Sequence, residues 1–376
     1  MNRPRIADAM EYIDEDMIAE AAEYRPAKTR IWKKTAAAAC LFLCVAAALA
    51  LSRMGMGDGG KVYNIAAAGD SVYFSVYNKG AFFWEPSMKK AEKLADDGVF
   101  YETESGIILY SASENMLWHL ANNELEAIGK TDVQSVLENP ELIGIYGDYA
   151  YWVGNRRDLE KEEFGMAVVR TSLHNGKAES LIKSENGSIA DCALRDHRLY
   201  YRLIKNHTAG STESLYTRNI VTGEEMRLME AETEADGLGG KVFYGENHIL
   251  IVSGSMDGIY RISYSGGEGE LLSEAVPVSA AMDELEGKIC FVTSFGENES
   301  EEFLSGKGFY REALVSLDEE SGALSEFKDF ELNNDNGTVR YTITELQMAD
   351  NGFYFVDPHH GLLFHSYAGK TEIPVG

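Results

Sequence analysis

Cysteine and proline are scarce in this chain, at four and seven among 376 residues. So few thiols cannot staple a disulfide scaffold, and so little proline beside 36 glycines is neither a collagen-like nor a disordered composition. Positive charge is short as well. Lys plus Arg number 34 against 61 Asp plus Glu, a formal net charge of -27, which excludes phosphate-backbone recognition over any large surface; no nucleic-acid partner is expected. Signature motifs are missing too: there is no Gly-x-Ser-x-Gly elbow, no glycine-rich phosphate loop closed by Lys-Ser/Thr, and no Cys-x-x-Cys pair. No cofactor is expected, and no catalytic constellation is legible.

Long apolar runs are confined to Thr35–Ser52, 18 positions without a charge. As a helix at 1.5 Å per residue this run reaches roughly 27 Å, enough for a bilayer core. Arg25, Lys28, Arg30, Lys33 and Lys34 precede it, and only Arg53 and Lys61 soon follow, so the amino terminus is expected in the cytoplasm. Because 34 mostly polar residues come first, the run reads as an uncleaved signal-anchor rather than a cleaved signal peptide. Within residues 1–34, Ile6, Met10, Ile13, Met17, Ile18 and Ala21 recur at helical spacing among acids until Pro26. This predicts a short amphipathic helix with a basic juxtamembrane segment. Residues 5–24 are then expected to contact a cytoplasmic protein or the lipid surface.

After a linker over 53–60, residues 61–376 contain short β-like runs and no convincing helical period. A phrase recurs: an aromatic strand led by a glycine or polar residue, a second strand often containing Leu-Tyr or Ile-Tyr, then a turn and a third strand. Anchored on Gly69, Gly106, Gly147, His197, Asn247, Gly287 and Gly352, the steps are 37, 41, 50, 50, 40 and 65 residues. That is the period of a propeller blade. A preceding apolar run supplies a fourth strand each time, from Val62–Ile65 in the first unit to Val339–Ile343 in the last. The expected fold is all-β, a seven-bladed propeller over 61–376, with six or eight blades as alternatives because the third, fourth and sixth units are enlarged. A pair of β-sandwiches is the competing architecture.

Gly147-Asp148-Tyr149-Ala150-Tyr151-Trp152 and Gly69-Asp70-Ser71-Val72-Tyr73-Phe74 resemble the tyrosine-rich propeller repeats of bacterial proteins of unassigned function. Those repeats are distantly similar to low-density-lipoprotein-receptor propellers. The start, with Tyr12-Ile13-Asp14-Glu15-Asp16-Met17-Ile18, a basic stretch and one alanine-rich span, is similar to single-pass membrane proteins of Gram-positive bacteria. The resemblance implies a cell-membrane protein with a large extracytoplasmic propeller. It carries over no receptor function, since the regular Tyr-Trp-Thr-Asp phrase is missing.

Candidate sites are few. The longest insertion, Ser294 to Glu312, sets Phe303, Phe309 and Tyr310 among acids, a pattern suited to a peptide or carbohydrate ligand outside the cell. Asp357, His359, His360 and His365 hold metal-ligating chemistry, but adjacent side chains on an extended chain point apart and a surface turn explains them better. Asn155 to Glu163 reads as a solvated hairpin. Cys192 and Cys290 read as free thiols on different blades. The function expected is an envelope binding or sensory module, with a carboxylate-based glycan enzyme and a structural envelope protein as alternatives.

Overall fold

The computed structural model describes residues 61–376 except 122, 159–164, 186, 208–209, 234–240, 246, 253–257, 276, 286, 296–310, 333–340, 351, 359, 367–368 and 374–376. The amphipathic helix, membrane span and linker expected over residues 1–60 lie outside the described residues. Among the described residues no helix is long and apolar enough to cross a membrane.

Seven antiparallel four-stranded sheets account for the described chain, each built from four consecutive strands. Blade 1 holds β1 (Val62–Ala68), β2 (Ser71–Val76), β3 (Gly80–Trp84) and β4 (Glu92–Ala95). Blade 2 holds β5 (Val99–Thr103), β6 (Gly106–Ser111), β7 (Met116–Ala121) and β8 (Glu124–Lys130), followed by a 3-10 turn at Val133–Ser135. Blade 3 holds β9 (Leu137–Tyr146), β10 (Tyr149–Arg156), β11 (Met166–Ser172) and β12 (Ala178–Lys183). Blade 4 holds β13 (Gly187–Arg195), β14 (Arg198–His207), β15 (Gly210–Asn219) and β16 (Glu225–Thr233). Blade 5 holds β17 (Lys241–Tyr244), β18 (His248–Val252), β19 (Ile259–Ser263) and β20 (Glu270–Ser273). Blade 6 holds β21 (Pro277–Leu285), β22 (Lys288–Phe295), β23 (Arg311–Asp318) and β24 (Leu324–Glu331). Blade 7 holds β25 (Glu345–Ala349), β26 (Gly352–Asp357), β27 (Gly361–Ser366) and β28 (Gly369–Glu372).

The near-continuous apolar strands follow from burial on both faces. In β2, Val72, Phe74 and Val76 join Tyr354, Val356, Leu362 and Phe364 of blade 7. The alternate residue Tyr73 turns the other way, onto Phe100, Ile107 and Leu109 of blade 2. A strand in an ordinary half-solvated sheet would alternate with polar residues; here alternation only selects which neighbouring blade receives the side chain. The first strands meet around the ring, β1 on β5, β5 on β9, β9 on β13 and β13 on β17, with β21 on β25 and β25 on β1, so they line the central channel.

Blade 1 and blade 7 exchange no strand, so side chains alone hold that junction. Trp84 packs edge-on to Tyr354 at 6.3 Å and tilts against Phe364 at 6.0 Å, and the Tyr354 hydroxyl donates to the carbonyl of Asp70. A glycine requirement is plain at Gly80, which opens β3 with φ +113° and where a Cβ would stand 2.2 Å from the carbonyl oxygen of Ala95.

The blade count matches the sequence reading, and the enlarged fourth unit proves to hold longer strands, 9 or 10 residues each, rather than an added hairpin. The first strand of blade 7 differs. It lies at Glu345–Ala349, later than the expected Val339–Ile343. Ala349 pairs with Gly352, so a short reversal sets the strand directly ahead of β26. Thr342 and Thr344 are instead tied to Asp357 and Val356 by backbone N–H donation, and Ile343 is buried as an anchor outside the ladder.

Candidate functional site

First strands of a propeller are sheet edges, so their channel-side backbone groups need partners. Here side chains of the adjoining blade supply several. Asn64 on β1 clamps Phe100 on β5, donating from Nδ2 to its carbonyl at 3.1 Å and accepting its N–H at 2.7 Å. Glu102 on β5 accepts the N–H of Ala67 at 2.7 Å and the Nε2 of Gln347 on β25 at 3.1 Å. Asp283 on β21 accepts the N–H of Met348 at 2.6 Å. These three polar residues, on β1, β5 and β21, therefore lace neighbouring blades.

A second set is three carboxylates and a base on other first strands, Glu141 on β9, Asp191 on β13, Glu345 on β25 and Lys241 on β17. Two of them lace blades as well, Asp191 through the N–H of Val242 on β17 and Lys241 through the carbonyl of Met282 on β21. Asp191 sits in a bulge of β13 with φ +46°, a left-handed conformation that a short polar residue tolerates. Its carboxylate meets Arg202 of β14 at 2.6 Å, and the same guanidinium meets Glu213 of β15 at 3.0 Å. The hydroxyl of Tyr244 donates to the carbonyl of Asp191 at 2.6 Å, fixing blade 5 against blade 4. Lys241 lies over the Phe243 ring at 4.8 Å and donates to the carbonyl of Met282 at 3.4 Å.

Glu141, Asp191, Lys241 and Tyr244 line a cavity of about 410 Å³ whose remaining walls include Ile143 and Met166. Burial pushes the Glu141 carboxyl up; Lys241 opposes the shift and Asp191 adds to it. Burial likewise raises Asp191, against Arg202, the N–H of Val242 and Lys241, and raises Glu345 against Lys241 alone. Glu141, Glu345 and Lys241 keep exposed surface while Asp191 is half-buried, so the nearby protein atoms only partly deprive the charged forms of solvent.

Glu102 is pushed up to about 7 by burial and by the charge of Asp283. A carboxyl held protonated beside an ionised one is the arrangement acid–base catalysis uses. Both of these carboxylates are already engaged by backbone N–H groups of the neighbouring blade, which makes them laces of the ring. The Cys192 and Cys290 thiols are unbridged and are pushed up by burial, Cys290 to about 12, the opposite of what a thiolate nucleophile requires.

Phe303, Phe309 and Tyr310 lie outside the described residues, as does His359. Asp357 and His360 do meet, with Asp357 Oδ1 accepting the His360 N–H at 2.9 Å and lying 2.7 Å from its Nδ1. His365 stands elsewhere, opposite Phe353 on β26 with ring centroids 5.0 Å apart, four register pairs from the Asp357–Gly361 pair. Among the described residues no three His, Cys, Asp or Glu side chains are grouped to hold a metal. The hairpin expected to be solvated at Asn155–Glu163 is not so at its start, because the Arg156 side chain is only 9% exposed. The channel carboxylates were missed in a chain where acids are everywhere.

No family model matches the chain, and no curated protein matches it in sequence. Solved structures do share its fold. A puromycin hydrolase mutant complexed with PGG aligns with a TM-score of 0.54 at 10% identity, over 84% of this chain and 54% of that one. An acylaminoacyl peptidase of Pyrococcus horikoshii aligns with a TM-score of 0.51 at 12% identity, over 84% of this chain and 52% of that one. The chain spans about half the length of these two proteins, and the likeness is one of fold alone.

Proposed function

We propose that this chain is a membrane-anchored extracytoplasmic binding module whose propeller channel takes an amine-bearing ligand, foremost the lysine or arginine side chain of a peptide. The observation that carries the reading is that Glu141 and Asp191 line, with Lys241, a cavity of about 410 Å³, while Glu345 on another first strand feels the charge of the same lysine. A cation entering there gains the Glu141 and Asp191 carboxylates, whose charged forms the surrounding protein disfavours, while an aliphatic stem finds Ile143 and Met166. A peptide fits better than a carbohydrate because the walls are largely aliphatic rather than flat aromatic faces. Membrane attachment rests on the charge-free run Thr35–Ser52 and its basic flank, and a sensory role would place residues 5–24 in contact with a cytoplasmic partner. The Glu102–Asp283 pair is the ground for the alternative of a glycan-active enzyme.

A binding screen on the full chain in detergent separates these readings. Lysine-bearing peptides, the same peptides with acetylated lysines, and neutral glycans are titrated, with hydrolysis products measured in the same samples. Saturable binding lost on acetylation, without products, is expected. Glycan hydrolysis, or binding indifferent to acetylation, would overturn the reading.

A further inference from the structure

A second cavity, sharing no lining residue with the first, lies in blade 3 on the face that packs against blade 2, and measures about 220 Å³. Its floor is apolar, formed by Leu137, Ala167 and Val169. Its rim carries Arg156, Arg157 and Lys183, an unusual concentration of bases for a chain of net charge -27. Arg156 is held in place by burial, its side chain 9% exposed, and presents a two-pronged donor edge. Asp158 receives that edge: its Oδ1 accepts from Nε at 2.8 Å and its Oδ2 from the second nitrogen at 3.0 Å. Lys183 Nζ adds a third contact to the same Oδ2 at 3.1 Å. Arg157, also in the lining, bonds through Nε to the Leu137 carbonyl at 3.0 Å and pairs with Glu138 at 3.5 Å. Glu179, the other acid of the lining, is turned to Arg170 at 2.8 Å.

We propose that this pocket binds a small apolar carboxylate, with Asp158 occupying the carboxylate position as an internal stand-in. The planar fork of a buried arginine matches a two-oxygen acceptor. The apolar floor below it has no use for a bare inorganic anion, which favours a carboxylate carrying a hydrocarbon tail. Asp158 is 55% exposed in its side chain, so it can turn to water while Arg156 stays seated by burial and by its donation to the Ser184 carbonyl at 3.5 Å. Arg156 and then Lys183 hold the Asp158 carboxyl well below the usual carboxylate range, so the stand-in is charged throughout the working pH range. The ligand chemistry is shared by a free aliphatic acid and by the carboxyl end of a peptide with an apolar last residue.

The test titrates the full chain in detergent with hexanoate, with N-acetylleucine, and with hexanamide as the uncharged control. Hexanoate or N-acetylleucine is expected to bind saturably and hexanamide at least about tenfold more weakly, ~1.4 kcal/mol. Tighter binding of hexanoate assigns a free acid as the source, and tighter binding of N-acetylleucine a peptide terminus; either supports the site. Asp158→Asn removes the competing charge and should tighten binding about tenfold, whereas Lys183→Gln should weaken it severalfold. Should Asp158→Asn fail to fold, Lys183→Gln and the hexanamide comparison decide. Equal binding of hexanoate and hexanamide, no saturable binding at millimolar concentration, or an affinity indifferent to both substitutions would overturn the proposal.

Discussion

At the scale of single residues, the molecule keeps charge inside where it can be paired and strains it where it cannot. Arg202 is 6% exposed and bridges Asp191 and Glu213. Replacing it with methionine leaves two largely buried carboxylates without their shared cation, so Arg202→Met is expected to lower unfolding stability by about 3–5 kcal/mol in urea titrations. A loss within the error of the measurement would show that the triad is solvated. Glu102 makes a different prediction. Its carboxyl is near 4.5 when free and about 7 in the fold, where Asp283, the Ala67 N–H and Gln347 face it. The folded chain therefore holds this proton more tightly than the unfolded chain does. The stability it contributes is fully present below about pH 4.5 and is lost as pH rises through about 7, and Glu141, Asp191 and Glu345 shift in the same direction. The unfolding temperature should fall between about pH 5 and pH 8, and Glu102→Gln should flatten that fall. A midpoint that climbs over the same window would contradict the assignment.

At the scale of strands and blades, the first strands hold the ring together through side chains rather than through ladder bonds. Phe100 is 1% exposed, and Asn64 satisfies both its N–H and its carbonyl. Asn64→Leu orphans both groups, with an expected loss of about 1–3 kcal/mol and faster hydrogen exchange at Phe100, while blades 4 and 5 keep their protection. Unchanged exchange at Phe100 would mean that water replaces the clamp. The blades themselves were legible because burial on both faces makes strands such as Gly80–Trp84 and Gly352–Asp357 nearly all apolar. The first strand of blade 7 was not, because Ile343 is apolar and buried yet serves as an anchor, and the hairpin signal in Asp350-Asn351-Gly352 was the stronger evidence for where that strand ends. The channel group was illegible for another reason. Glu141, Asp191, Lys241 and Glu345 come from four blades, and only ring closure brings them to one channel.

At the scale of the whole molecule, seven blades close a ring whose faces are occupied by neighbouring sheets, and at the channel charge and concavity coincide. The account stands on that coincidence. The measurement that tests it most directly is the affinity of a lysine-bearing peptide for the wild-type chain and for Glu141→Gln and Glu345→Gln, read alongside each protein's unfolding midpoint. Neutralising either carboxylate removes a ligand contact and also removes a charge that burial disfavours. Both variants should bind at least about tenfold more weakly, ~1.4 kcal/mol, with midpoints unchanged or raised. Wild-type affinity retained in both variants would contradict the channel as the binding site.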